Sequence, residues 1–326
     1  MKSFTRGISN CLAVICLAVI AVTGTARGSD RLVAWGDISY DVTLTTDPAS
    51  ESGSGLMQIS SGDYHSVALS SDGLVLAWGD NRFGQTSVPD QLQHSVIAQV
   101  SAGNIHNLAL TRDGVVLAWG PAPGQPGDYG QCSVPAGMGR ITAVAAGAVH
   151  SLALNGEGRI SAWGLNLNSQ CDVPAGLNNV VAIAGGMYHS LALKTDGTVV
   201  AWGDNRQGQI TIPQGLSNVV AIAAGGFHNV ALLQNGTVVT WGTYGLAQSP
   251  VPSGLTNVIA IATGDFHTLA LKRDGRLVTW GFNTAGQCTV PAGLANIEAI
   301  AARGNHTMIL MRDQTLPARG LPAWGK

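Results

Sequence analysis

The chain has 326 residues, a formal net charge of −2 and 11% charged residues, against about 25% in an average soluble domain. That near-neutral balance, with no Lys/Arg run or basic stripe, excludes the electrostatic footprint of a nucleic-acid binder. Few charges and 43 glycines suit sheets buried on both faces, whose strands read as short apolar runs.

Lys2 and Arg6 precede an apolar run from Cys11 to Val22, and small residues follow through Ala26 and Gly28. This is the pattern of a secretory signal peptide over residues 1–28, and the run is shorter than the roughly 20 residues that span a bilayer. Secretion to the extracellular space or a periplasm is expected, with no membrane insertion after cleavage. Cleavage after Ala26 removes Lys2 and Arg6 and leaves 15 Lys+Arg against 19 Asp+Glu.

From residue 29 to residue 326 the chain reads as one domain built from a repeat. His65, His106, His150, His189, His228, His267 and His306 stand in matching surroundings, at spacings of 41, 44, 39, 39, 39 and 39 residues. Trp78, Trp119, Trp163, Trp202, Trp241 and Trp280 each lie 13 residues after one of them. Within one unit, Asn218 to Ala223 is a β-branched strand, and "AGGFH" turns the chain, with glycine expected to supply unusual φ values. Asn229 to Leu233 is a second strand, Asn235-Gly236 a hairpin turn, and Thr237 to Trp241 a third strand. A proline-containing segment such as "GQITIP" supplies a short fourth edge strand. About four antiparallel strands in 39 residues make one propeller blade, and seven histidines predict seven blades. Asp-Gly or Asn-Gly at this period argues against a helical repeat.

The two ends are incomplete units. "RLVAWGD" (Arg31 to Asp37) looks like a third strand without its first half, and the unit at His306 lacks a normal third strand. The N-terminal strand Leu32–Trp35 is therefore expected to complete the last blade and close the ring, in preference to Leu321–Trp324. Closure removes the open edges of a sheet.

Cys132, Cys171 and Cys288 occupy one repeat slot, filled elsewhere by Thr86, Ile210 and Ser249. The slot wants a small, semi-apolar side chain, and three free buried thiols are expected.

The Gly-x-x-His turn, the Trp-Gly end of strand three and the Gly-Gln beyond it resemble the regulator-of-chromosome-condensation repeat, a seven-bladed propeller family. Gly62, Gly103, Gly147, Gly186, Gly225 and Gly264 stand three before a repeat histidine, and Arg303 breaks the pattern in the last blade. Units such as "AWGDNRFGQTSVP" look most like the secreted β-lactamase inhibitors of this repeat type, and less like a nuclear exchange factor for a small GTPase. The resemblance implies a binding face and an all-β, seven-bladed ring.

A catalytic constellation occurs once, with distinct partners in distinct roles. A histidine repeated seven times meets a local structural need, expected to be hydrogen bonding to backbone groups at the turn. Trp35 and the six tryptophans above are read as blade packing. No Walker loop, GxSxG or HExxH is present, so no catalytic residue, metal or cofactor is expected. The sequons at Asn235 and Asn305 read as chance matches.

Function then sits where the repeats differ. Strand directions place the Gly-x-x-His turns and the loops after Trp-Gly at one end of the ring. There the sequence offers Asp63, Tyr64, Arg82, Phe83, Tyr188, Arg206, Phe227, Tyr244, Phe266 and Phe282, types that dominate protein-binding hot spots. The reading is a secreted, monomeric, non-enzymatic propeller that binds a protein partner through this face. An inhibitor of a secreted enzyme such as a β-lactamase and a carbohydrate-binding or enzymatic propeller are alternatives. A guanine-nucleotide exchange factor fits poorly with a signal peptide. Phe227→Ala is expected to weaken binding and leave thermal unfolding nearly unchanged.

Overall fold

Strands form where Val, Ile, Ala and Leu run between Gly, Asn and Asp turns. The computed structural model arranges them as seven antiparallel three-stranded sheets. It describes residues 30–37, 55–243 and 250–312; the segment 1–28, Ser249, Tyr244 and Trp324 lie outside the described residues.

The first sheet holds β2 (Leu56–Ser61), β3 (His65–Ser70) and β4 (Val75–Gly79), and the second β5 (Ile97–Ala102), β6 (Asn107–Thr111) and β7 (Val116–Trp119). The third holds β8 (Ile141–Ala146), β9 (His150–Asn155) and β10 (Ile160–Gly164), and the fourth β11 (Val180–Gly185), β12 (His189–Lys194) and β13 (Val199–Gly203). The fifth holds β14 (Val219–Ala224), β15 (Asn229–Leu233) and β16 (Val238–Trp241), and the sixth β17 (Val258–Thr263), β18 (His267–Lys272) and β19 (Leu277–Gly281). The seventh joins both ends of the chain: β1 (Arg31–Gly36) pairs with β21 (His306–Met311), which pairs with β20 (Ile297–Arg303). The insertion after Pro89 forms a short helix, α1 (Asp90–Gln93), that buries Leu92.

Leu32–Trp35 therefore closes the ring, in the register Leu32↔Leu310, Val33↔Ile309, Ala34↔Met308 and Trp35↔Thr307. The buried Asp30 carboxylate accepts from Leu56 N at 3.0 Å and so ties this strand to the first blade.

The first strands of all seven sheets surround an axial cavity of about 90 Å³. In each sheet a β-bulge near the start of the first strand shifts its register, as between Val180 and Ala182 or Val219 and Ala221. Bulges increase local twist, which a propeller blade requires. The middle strands are buried along nearly their whole length. That is why the sequence alternates little and carries few charges.

Seven apolar cores fill the joints between neighbouring blades, and each contains one tryptophan: Trp35, Trp78, Trp119, Trp163, Trp202, Trp241 or Trp280. Burying such a side chain contributes about 1.5–3 kcal/mol or more.

Among the described residues no fourth strand forms; each sheet has three. The competing structure is local. Asn81, Asn166, Asn205 and Asn283 each accept, through Oδ1, the backbone N–H five residues on, at 2.7–3.1 Å. These bonds take donors at the start of the segment that a ladder would use, and the proline beyond offers none.

Candidate functional site: the face of the histidine turns

The repeat histidines sit in the joints between blades. His65 Nε2 lies 2.8 Å from Asn107 Oδ1 of the next blade, and the pattern repeats from His106 to Ser151, His150 to Ser190 and His189 to Asn229. It continues from His228 to Thr268 and from His267 to Thr307, all within 2.7–3.0 Å. The relay goes further. Asn107, Ser151, Ser190, Asn229 and Thr307 donate to the carbonyls of Gln85, Gln131, Gln170, Gln209 and Gln287. The indole N–H groups of Trp119, Trp163, Trp202, Trp241 and Trp35 donate to the same five carbonyls.

The hydroxyls of Ser151, Ser190 and Thr307 spend their one hydrogen on a glutamine carbonyl, so their oxygens accept from Nε2–H. This fixes the neutral Nε2–H tautomer. Burial is the main cause that lowers these groups: His65, His189, His228 and His306 to about 4, His150 and His267 to about 3, and His106 well below its ordinary value. The expectation of backbone bonding at the turn is corrected here. For six of the rings the Nε2 partner is a side chain across the joint, while Cε1 and Nδ1 lie over the glycine of the ring's own turn.

The glycines of Gly-x-x-His are also needed for a different reason than expected. Their φ values are not positive; what they lack is room. A Cβ at Gly225 would stand 2.6 Å from Gly264 O of the next blade and 2.6 Å from His228 Cε1.

Arg303 replaces that glycine in the last blade. There β20 runs on to Arg303, which pairs with His306 across a tight turn, with Gly304 at φ +52°. His306 Nε2 and Ser66 Oγ, which would form the seventh link, have no hydrogen-bond partner. The Arg303 side chain crosses the axis instead. Its Nε donates to Asn104 Oδ1 at 3.1 Å and lies 3.8 Å from Asp63 Oδ1; Nη1 donates to Ala146 O and Gly185 O at 3.3 and 3.4 Å. One buried guanidinium thus joins the last blade to the first four at the seam where the histidine link is missing.

Asp63 and Asp265 flank this guanidinium. Burial raises both, with Asp63 pushed up to about 8 by desolvation and then by the Asp265 charge, against the opposing pull of Arg303.

The aromatic positions fall into two sectors. Tyr188, Phe227, Phe266 and Phe282 form one continuous run, with centroid separations of 6.5, 5.8 and 6.1 Å and Phe227 stacked on Phe266. In the other sector Tyr64 is exposed, and Phe83 packs with Ile105 around Gly127 of the long loop. Arg82 and Arg206 are exposed and pair with Asp80 and Asp204 at 3.0 and 2.8 Å. Asp63 lies inside the ring mouth, and Tyr244 lies outside the described residues.

Sequence reading missed Leu167, which is 85% exposed and stands near Tyr129 of the long loop, itself 52% exposed. Both line a groove of about 690 Å³ with Tyr188, Arg206 and Phe227. Leu167 occupies the slot held by Arg82 and Arg206, and that departure was its signal.

The three thiols are free and half-buried rather than buried. Cys171 and Cys288 donate to Leu165 O and Phe282 O. Burial pushes Cys132 up to about 12 and the other two to about 11, so none is a ready thiolate. Among the described residues no cluster of three or more His, Cys, Asp or Glu could hold a metal, and no helix is long and apolar enough to cross a membrane.

Solved propellers share this architecture. Prp20p from Saccharomyces cerevisiae superposes with a TM-score of 0.76 at 20% identity, covering 91% of this chain and 94% of that one. Human WBSCR16 gives 0.69 at 21% identity over 88% and 100% of the two chains. The ectodomain of the Physcomitrella patens receptor kinase CR4 gives 0.63 at 24% identity over 79% and 70%. At these identities the likeness is one of fold. No curated protein matches the sequence. A family model described as an RCC1-like domain matches residues 39–292, and this match, together with the seven-bladed ring, shows that the chain belongs to the RCC1-like domain family.

Proposed function

We propose that this propeller is a secreted, non-enzymatic module that binds a protein partner through the face of the histidine turns and post-Trp-Gly loops. The observation that carries the reading is the aromatic run Tyr188–Phe227–Phe266–Phe282, which is half-buried and crosses three blades beside the exposed Leu167 and Tyr129. Interface cores are rich in such aromatics and arginine, with a polar rim. Six of the seven repeat histidines are occupied in blade joints and the seventh is buried, which leaves this face as the variable surface of the ring. Repeat units such as "AWGDNRQGQ" favour one version of the reading, in which the partner is a secreted enzyme such as a β-lactamase and binding inhibits it.

A paired capture tests the proposal. The immobilised protein should retain a protein from its native surroundings, and Tyr188→Ser with Phe227→Ser should lose it. A hairpin-side control, Val115→Ser, should not. Retention by the Tyr188/Phe227 variant would overturn the proposal. Absence of β-lactamase inhibition would remove the enzyme-directed version alone.

A further inference from the structure

The third and fourth blades fill one pair of repeat slots in opposite ways, and the groove between them has two unlike walls. After Trp202-Gly203 the fourth blade carries Asp204 and Arg206; after Trp163-Gly164 the third blade carries Leu165 and Leu167 in the same slots. Backbone bonds hold both loops beside the histidine turns: Asp204 N donates to Tyr188 O and Leu165 N to Val149 O, each at 2.9 Å. The groove of about 690 Å³ that these loops line also takes in Tyr129, Tyr188 and Phe227. That volume lies in the range of a drug-sized ligand or a short peptide segment.

The charge that this groove offers to an occupant is positive. Asp204 is 6% exposed, and both its oxygens are in use. Its Oδ1 accepts from Arg206 Nε at 2.8 Å and from Arg206 N at 3.2 Å, and its Oδ2 from Gln209 Nε2 at 3.1 Å. An incoming cation finds no open carboxylate there. Arg206 is the opposite case. Its side chain is 68% exposed, and no described residue accepts from its two Nη groups. A planar guanidinium with outer N–H groups open to solvent matches a carboxylate and can bind it through two parallel hydrogen bonds. The facing wall acts by desolvation instead. Leu167 and Tyr129 stand exposed on it, and covering such apolar surface is favourable.

We propose that the partner lays an extended acidic–aliphatic segment in this groove, with an Asp or Glu carboxylate on Arg206 and leucine-like neighbours on Leu167 and Tyr188. This rests on the reading that the face binds a protein, and it names the chemistry of the segment that is bound. The carboxylate accepts from the Nη groups of Arg206, while Asp204 keeps the Nε bond and holds the guanidinium in place.

The test titrates the isotopically labelled protein with Ac-Gly-Leu-Glu-Leu-Gly-NH2 and with its glutamine and lysine analogues, read by NMR. The glutamate peptide should shift the amides of Leu167, Tyr188 and Phe227 and the Nε–H of Arg206. It should bind about fivefold more tightly than the glutamine peptide, the upper worth of an exposed ion pair, with the lysine peptide weakest. Raising the salt to about 1 M, where the Debye length is about 3 Å, should erase that ranking. Arg206→Gln should bring the glutamate peptide down to the glutamine peptide, and Arg159→Gln, at a hairpin where Arg159 pairs with Glu157, should leave the ranking unchanged. If Arg206→Gln fails to fold, the ranking on the wild type and its loss in salt still decide. Equal binding of the glutamate and glutamine peptides, or tighter binding of the lysine peptide, would overturn the acidic segment. No shift from any peptide at millimolar concentration would overturn the groove as its seat, whereas the capture experiment alone decides whether the face binds a protein.

Discussion

Arg303 and Ser169 are the two residues whose local cost is clearest. Arg303 is buried, and its bonds reach four other blades. Removing one partner of a buried ion pair costs about 3–5 kcal/mol. Arg303→Met should therefore lower the free energy of chemical unfolding by that order, and a loss below 1 kcal/mol, roughly the worth of a surface pair, would show that the clasp is idle. Ser169 holds φ +62° in a slot where Gly84, Gly130, Gly208 and Gly286 hold +76° to +82°. A left-handed residue other than glycine costs about 1–2 kcal/mol, so Ser169→Gly should raise the unfolding midpoint. Phe227 departs from its sequence expectation: it stacks on Phe266 at 5.8 Å. Aromatic pairs contribute about 0.5–1.5 kcal/mol beyond their burial. Phe227→Ala should thus lower stability by about that amount in a denaturant titration, besides weakening binding.

At the scale of the blade, the repeat period, the Asn-Gly or Asp-Gly hairpins and the closing strand were legible because each is a local pattern of the chain. What joins one blade to the next was not. The His–Asn/Ser/Thr–Gln relay spans 20 to 45 residues, so no local window contains it. The polar residue after each histidine and the recurring glutamine were visible in the sequence, but only the ring brings them together. The fourth strand failed for the reverse reason. Its β-branched slots looked strand-like, while the asparagine five residues earlier had already claimed a backbone donor. The glycines show the joint most directly. Gly225→Ala would place a methyl 2.6 Å from Gly264 O, against backbone that cannot step aside. It should destabilise by about 1–3 kcal/mol, the cost of overpacking, and a neutral result in thermal unfolding would contradict the account of Gly-x-x-His.

The whole molecule carries seven buried neutral histidines and two buried carboxyls of opposite pH dependence. Unfolded histidine titrates near 6.5, but the folded groups are lowered to about 3–4 or further. Their stabilisation is complete above pH 6.5 and is lost as pH falls towards 4, by up to about 1.4 kcal/mol per pH unit for each histidine. Asp63 and Asp265 are raised, so their contribution is lost as pH rises, up to about pH 8 for Asp63. Seven outweigh two below pH 6.5. The midpoint of thermal unfolding should therefore be highest near pH 6.5, drop steeply by pH 4.5 and decline gently towards pH 8. A flat profile between pH 7 and 4.5 would contradict the buried, neutral histidines. The same division of labour, with the histidines in the joints and the aromatics on the face, is the core of the functional reading. Hydrogen exchange of the protein alone and with its captured partner tests it most directly. Protection is expected at Asp63–Tyr64, Leu165–Asn168, Met187–Tyr188, Gly226–Phe227 and Asp265–Phe266, with the hairpins at Asp72, Asp113, Asp196 and Asp274 unchanged; protection confined to those hairpins would contradict it.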